Sequence, residues 1–162
     1  MKAKYSLIAA ALALATAIPA SAGTVSNGFN VSVNLASKCV ATNVSAPTLD
    51  FGTYTAFQGS AAVPATPVTM TFDCTRGLAP VSVAFDTTNG NAAGVGVLVG
   101  LQYALTPTAL ATVAGTAAST ATIGTADAVS YSITGSMPAN QAGTCGAATC
   151  AGSHLRTLIV TY

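Results

Sequence analysis

Val68-Thr69-Met70-Thr71-Phe72-Asp73-Cys74 alternates without a break between apolar and polar side chains. Successive side chains of a strand point to opposite faces, so Val68, Met70, Phe72 and Cys74 share one face and Thr69, Thr71 and Asp73 the other. One face needs a core and carries a cysteine into it; the other tolerates water. The same period recurs outward in both directions. Downstream, the turn Thr75-Arg76-Gly77-Leu78-Ala79-Pro80 leads into Val81-Ser82-Val83-Ala84-Phe85-Asp86, with Val81, Val83 and Phe85 inward, an expected antiparallel neighbour of the first strand. Upstream, Phe29, Val31, Val33 and Leu35 alternate with Asn30, Ser32 and Asn34.

Further strands are expected at Val97–Leu105, read as one long strand ended by Pro107, at Val129–Gly135, and at Leu158–Tyr162, where the chain as given stops. Leu49–Tyr54 reads as a short strand or extended segment with a bend at Gly52. Leu110–Val113 and Ala121–Ile123 are short edge-strand candidates in a run of Ala, Thr, Gly and Ser. Asn89-Gly90-Asn91 is a turn signal, since Asn-Gly suits backbone positions of positive φ. Many short strands between Gly, Pro and Asn turns, with no helical period after residue 22, predict an all-β antiparallel sandwich.

The first residues differ in kind. Lys2 and Lys4 precede an apolar run from Leu7 to Ala20 that ends in Ala20-Ser21-Ala22, so residues 1–22 read as a secretory signal peptide and not as a membrane span. About 140 residues follow, a common size for one domain. Beyond the leader the cations are Lys38, Arg76 and Arg156, against Asp50, Asp73, Asp86 and Asp127. Three scattered cations cannot neutralise a row of phosphates, which argues against nucleic acid as a partner. So little charge on a chain that is 51% hydrophobic invites association.

Four cysteines in an exported chain read as disulfides, with three pairings open on paper. The short spacing of Cys145 and Cys150 favours a local bridge and leaves Cys39 with Cys74. Other chemistry has thin material. His154 is the single histidine, and Ser153 beside it points to the opposite side of an extended chain. Cys145, Cys150 and His154 have a spacing that could ligate zinc, but oxidation removes both thiolates. The four aspartates are dispersed and read as turn or rim residues. No cofactor, metal or catalytic site is expected, and the chain is not read as an enzyme. Tyr54, Tyr103, Tyr131 and Tyr162 could line a sugar platform, although without tryptophan they suit core and edge packing better.

Several stretches, in order, carry a resemblance: the alternating N-terminal segment, Cys39, Leu49-Asp50-Phe51-Gly52-Thr53-Tyr54, Met70-Thr71-Phe72-Asp73-Cys74, Tyr131-Ser132-Ile133-Thr134-Gly135, Met137-Pro138-Ala139-Asn140-Gln141 and the terminal strand. Together they resemble the spore coat protein U domain family, which includes the Csu-type pilins of archaic chaperone-usher pili. The resemblance implies an incomplete immunoglobulin-like sandwich lacking its last strand, over residues 37–162, with a Cys39–Cys74 disulfide. It also implies a donor strand in residues 23–36, with Phe29, Val31, Val33 and Leu35 entering the groove of the next subunit. Leu158, Val160 and Tyr162 would form the acceptor edge.

The partners implied are identical or related pilin subunits, a periplasmic chaperone and an outer-membrane usher, and the location is the cell surface as a fimbrium serving adhesion or biofilm formation. Two features depart from the family: His154-Leu155-Arg156 stands where an aromatic residue and an aspartate usually precede the last strand, and the Cys145–Cys150 pair is an addition. The alternative is a secreted β-sandwich, a coat or carbohydrate-binding protein that is a stable monomer with its N-terminal strand in its own sheet.

Overall fold

The computed structural model describes residues 23–43, 45–88 and 92–162. The signal peptide expected at residues 1–22 and the turn expected at Asn89-Gly90-Asn91 lie outside the described residues. The chain divides into two units, Met1–Asn34 and Leu35–Tyr162. In the first, the described residues carry no regular secondary structure, and Phe29, Val31 and Val33 are 87%, 84% and 89% exposed. Leu35, which opens the second unit, is exposed as well. The alternating segment therefore forms no strand here.

The second unit is all-β and antiparallel, with no α-helix among the described residues. Its strands are β1 (Cys39–Ala41), β2 (Val68–Cys74), β3 (Ser82–Phe85), β4 (Val95–Leu98), β5 (Leu101–Ala109), β6 (Asp127–Ser136) and β7 (Leu158–Thr161). Five of them form one sheet in the order β1-β2-β6-β5-β4, while β3 and β7 pair in a second, two-stranded sheet.

β2 occupies the stretch whose alternation is clearest, and its inward face matches the pattern. Phe72 and Cys74 are buried, with Val68 and Met70 half-buried. In register with it on β6, Met70 lies opposite Tyr131 and Phe72 opposite Val129. Phe72, Cys74, Val129, Tyr131 and Ile133 from the large sheet share one core with Phe85 of β3 and Leu158 of β7. A smaller cluster of Leu101, Tyr103 and Met137 adjoins Phe51 and Tyr54.

Several expectations are corrected. β3 is not the neighbour of β2, because β1 and β6 already take both of its hydrogen-bonding edges. Val81, expected inward, is 80% exposed at the crossing between sheets, where its amide donates to Thr161 O at 2.7 Å. The stretch 97–105 is not one strand but a hairpin: Val99 and Gly100 turn at φ of 46° and 73°, the left-handed pair that a two-residue hairpin loop needs. Neither Leu110–Val113 nor Ala121–Ile123 is a strand. The first region contributes only the isolated Val113–Ala128 bridge, and in the second the Ser119 amide donates to Thr122 O across a turn.

Leu49–Tyr54 is extended but unpaired as a strand. Asp50 Oδ1 accepts the Gly52 amide at 2.8 Å, and Gly52 takes a φ of 69°, so the bend falls where the glycine permits it. Pro107 does not end β5. The Leu105 amide points toward Gly94 O and that of Leu110 toward Ser130 O on β6. Alternation then directs the missing N–H of Pro107 to the β4 side, beyond the end of β4, where no ladder bond is lost.

Candidate functional site

Between the core residues of the second unit runs an open cleft of about 1200 Å³. Leu49, Met70, Phe85, Leu105, Ile133 and Leu158 contribute to its lining, and the segments 46–56 and 142–156 form its walls. These residue types belong in a closed interior, and protein interiors pack with few voids larger than a water molecule. Pockets for small ligands fall at about 300–1000 Å³ and carry a few convergent polar groups. This cleft is larger and only partly enclosed, with apolar side chains making up most of its lining.

β7 supplies one border. It pairs with β3 in the register Phe85↔Leu158 to Ser82↔Thr161. The Asp86 amide donates to Thr157 O at 3.0 Å and the Val81 amide to Thr161 O at 2.7 Å. In an antiparallel ladder alternate residues face one partner. Residues 157, 159 and 161 therefore turn their backbone groups toward β3, and Leu158 and Val160 turn theirs to the opposite edge. Among the described residues no strand pairs with that edge. Leu158 is buried and Val160 half-buried, both packing on the core, whereas Tyr162 lies past the end of the strand and is 47% exposed.

Another wall is formed by the Leu49–Tyr54 segment. Phe51 packs on Tyr103 with ring centroids 6.1 Å apart. Its ring sits in the space left by Gly135: a Cβ placed there would lie 2.9 Å from Phe51 Cζ and 2.7 Å from Ala104 O. The Tyr54 hydroxyl donates to Pro138 O at 2.7 Å and accepts the Gln141 amide at 3.1 Å. Gln141 in turn clamps β5, its Oε1 accepting the Gln102 amide at 2.6 Å and its Nε2 donating to Gln102 O at 3.0 Å.

At the entry to β7 the apolar lining gives way to an ion pair. Arg156 Nε donates to Asp86 Oδ1 at 2.9 Å, with both side chains 9% exposed. Its Nη1 donates to the Tyr103 hydroxyl at 3.0 Å and its Nη2 to Asp86 O at 2.8 Å. Asp86 Oδ1 also accepts the Thr157 amide at 3.1 Å, and the Thr88 hydroxyl donates to Oδ2. The Thr88 bond, with Arg156 and the Thr157 amide behind it, outweighs the cost of burial and holds the Asp86 carboxyl at about 2, below its ordinary 3.8. Burial opposes the charge on Arg156, yet its bonds to Asp86 and Tyr103 raise its pKa. His154 Nδ1 lies 3.4 Å from the Tyr103 hydroxyl.

The disulfides join Cys39 to Cys74 and Cys145 to Cys150. The first ties β1 to β2 beside the core, with Cys74 fully buried. The second closes a loop in the cleft wall and takes both sulfurs of the zinc-like spacing. The structure thus brings Leu158 to the cleft, packs Val160 on the adjoining core, leaves Tyr162 half-exposed past the end of β7, and leaves Phe29, Val31, Val33 and Leu35 exposed in a segment without regular secondary structure.

Sequence reasoning missed the Asp86–Arg156 pair and read Asp86 as a rim residue. The available signal was Asp86 directly ending an inward-facing strand and Arg156 directly preceding another. Asp127, also read as a rim residue, is buried and accepts the Gly77 and Gly115 amides at 2.8 and 2.7 Å, which lower its pKa. It ties the turn after β2 to the loop before β6. Two disulfides are the mark of an oxidising compartment outside the cytoplasm. No helix among the described residues is long and apolar enough to cross a membrane. No protein-family model, curated protein or solved structure matches the chain.

Proposed function

We propose that this chain is a structural subunit of a surface pilus or fimbria, built by donor-strand exchange through a chaperone-usher pathway and serving adhesion or biofilm formation. The observation that carries the reading is the cleft: about 1200 Å³ of open space lined by core residues, bordered by a β7 edge that no described strand pairs. A strand laid along that edge would gain main-chain bonds from Leu158 and Val160 and bury alternate side chains among the cleft residues, which is recognition by strand addition. The two sheets are then the halves of an incomplete immunoglobulin-like sandwich.

The same chain carries a segment suited to the gap. Phe29, Val31, Val33 and Leu35 recur at the strand period and are exposed. Their burial in a neighbour would gain roughly 6–12 kcal/mol gross, at about 1.5–3 per side chain. Donor and acceptor are different surfaces, so the contact is heterologous and propagates as a fibre. In this reading residues 1–22 direct export and are removed, residues 23–36 are the donor strand and residues 37–162 the pilin domain. A periplasmic chaperone fills the cleft before assembly, and an outer-membrane usher exchanges it for the next subunit's donor.

The test is a truncation lacking Thr24–Leu35. The full mature chain is expected to form fibres, and the truncated chain to remain monomeric and to cap fibres of the full one. Undiminished fibre growth by the truncated chain overturns the proposal. So does a full mature chain that stays a stable monomer, the behaviour of a self-contained coat or carbohydrate-binding protein.

A further inference from the structure

The two disulfides occupy opposite environments. Cys74 is fully buried and packs with Cys39 against the core. Cys145 and Cys150 are both exposed, in the stretch of cleft wall between Met137 and Leu158, which has no regular secondary structure. Its first part is well anchored: the Asn140 amide donates to Gln58 O, Gln141 O accepts the Phe57 amide, and the Gln141 side chain clamps β5. Beyond Gln141 the anchors thin out, the Thr144 amide donating to Val99 O at 2.8 Å.

The next backbone anchor is the Thr157 amide on Asp86. Between Cys145 and Leu155 the other attachments among the described residues are the His154 contact with Tyr103 at 3.4 Å and packing at Gly152, where a Cβ would meet Leu98 and Val99 side chains at 3.1 Å. This same segment lines the cleft. The part of the wall with the least hydrogen bonding is thus the part closed by a solvent-facing covalent bridge.

We infer that the Cys145–Cys150 disulfide is a redox-sensitive clamp on the cleft wall: intact, it holds the 142–154 strap against the β4–β5 turn, and its reduction loosens that wall and lowers the hold on an inserted strand. The second half rests on the donor-strand reading; the first does not. The chemistry is thiol–disulfide exchange with an external dithiol. Its thiolate attacks one cysteine sulfur and forms a mixed disulfide as the Cys145–Cys150 bond breaks. The reagent's second thiol then displaces the other sulfur. Two electrons and two protons end on the two cysteines, and the dithiol leaves as its own disulfide. Access decides which bridge reacts: Cys145 and Cys150 are both exposed, whereas Cys74 is fully buried and Cys39 half-buried.

The experiment treats the folded mature chain with dithiothreitol under native conditions, alkylates free thiols and maps them by mass spectrometry. Cys145 and Cys150 are expected to be modified while Cys39 and Cys74 stay paired; modification of Cys39 and Cys74 together with them or first overturns selective access. Hydrogen exchange of the same samples, and of a Cys145→Ser/Cys150→Ser chain, is expected to show faster exchange at Thr144 with β2 and β6 unchanged. An unchanged Thr144 amide in both removes the clamp.

Fibre growth of the full mature chain is read separately and expected to slow by roughly thirtyfold in the double variant, the scale of the lost loop-closure entropy. Equal growth with a loosened Thr144 overturns the link to strand retention. Absence of growth even in the oxidised parent counts against the assembly reading and leaves the clamp to be judged by exchange alone.

Discussion

Arg156 shows how one side chain can organise the start of a strand. Its guanidinium holds Asp86, the Tyr103 hydroxyl and the Asp86 carbonyl at 2.9, 3.0 and 2.8 Å. It therefore fixes where β7 begins relative to β3 and β5. A buried pair of this kind adds little net stability over an apolar equivalent, but breaking it strands a charge. Asp86→Asn is expected to destabilise the chain by roughly 3–5 kcal/mol at neutral pH, measured by denaturant melts. The pH dependence has a definite sign. A carboxyl held at about 2 when folded and 3.8 ordinarily contributes stability that is present above 3.8 and lost as pH falls through about 2. Asp127 is lowered too and contributes with the same sign, so the difference between parent and Asp86→Asn across that window isolates Asp86. A parallel pair of stability curves would show that the Asp86 carboxyl is not linked to folding.

Among elements, the strands that could be read from the residues are those with one buried face. β2 and β6 alternate because Met70, Phe72, Val129 and Tyr131 all meet the same core, and period-2 patterning records just that. What the pattern does not record is which edge meets which. Val81–Phe85 alternates as well as β2 does, yet its partner β7 lies far along the chain. The β4–β5 turn was hidden for a related reason. Val99 continues the apolar alternation while sitting at a φ of 46°, where β-branched residues are rare, so the signal reduced to Gly100 alone.

That glycine has no substitute, because its φ is 73° and a Cβ would collide with Thr144 Oγ1 and the Thr144 amide nitrogen. Gly100→Ala is expected to cost about 1–3 kcal/mol and to speed hydrogen exchange at Thr144, since the new methyl group pushes the strap off the turn. Thermal melts with exchange mapping would show both effects, and a neutral substitution would mean the turn tolerates a side chain. The cleft was legible only at its border, where the family resemblance implied an acceptor edge at Leu158, Val160 and Tyr162, whereas walls such as Phe51 on Gly135 depend on contacts between segments distant in the chain.

At the scale of the whole molecule, the cleft and the unpaired edge make a claim about β7 that can be separated from general instability. Backbone groups of residues 157, 159 and 161 face β3, and those of Leu158 and Val160 face the open edge. Proline removes one N–H and is tolerated in strands only where that N–H has no ladder partner. Val160→Pro should therefore keep the β3–β7 pairing and most of the fold, at the cost of some packing by a half-buried side chain. Ile159→Pro removes an amide that the ladder uses and leaves a carbonyl unsatisfied, so it should be less stable than Val160→Pro by about 1–3 kcal/mol. For assembly the order reverses in meaning. Val160→Pro deletes a donor that an incoming strand needs, and fibre growth is expected to fall sharply in a chain that remains folded by circular dichroism and melts as one transition. If Val160→Pro folds and still extends fibres at the parental rate, the incoming strand does not use the β7 edge, and the cleft must be filled from another side.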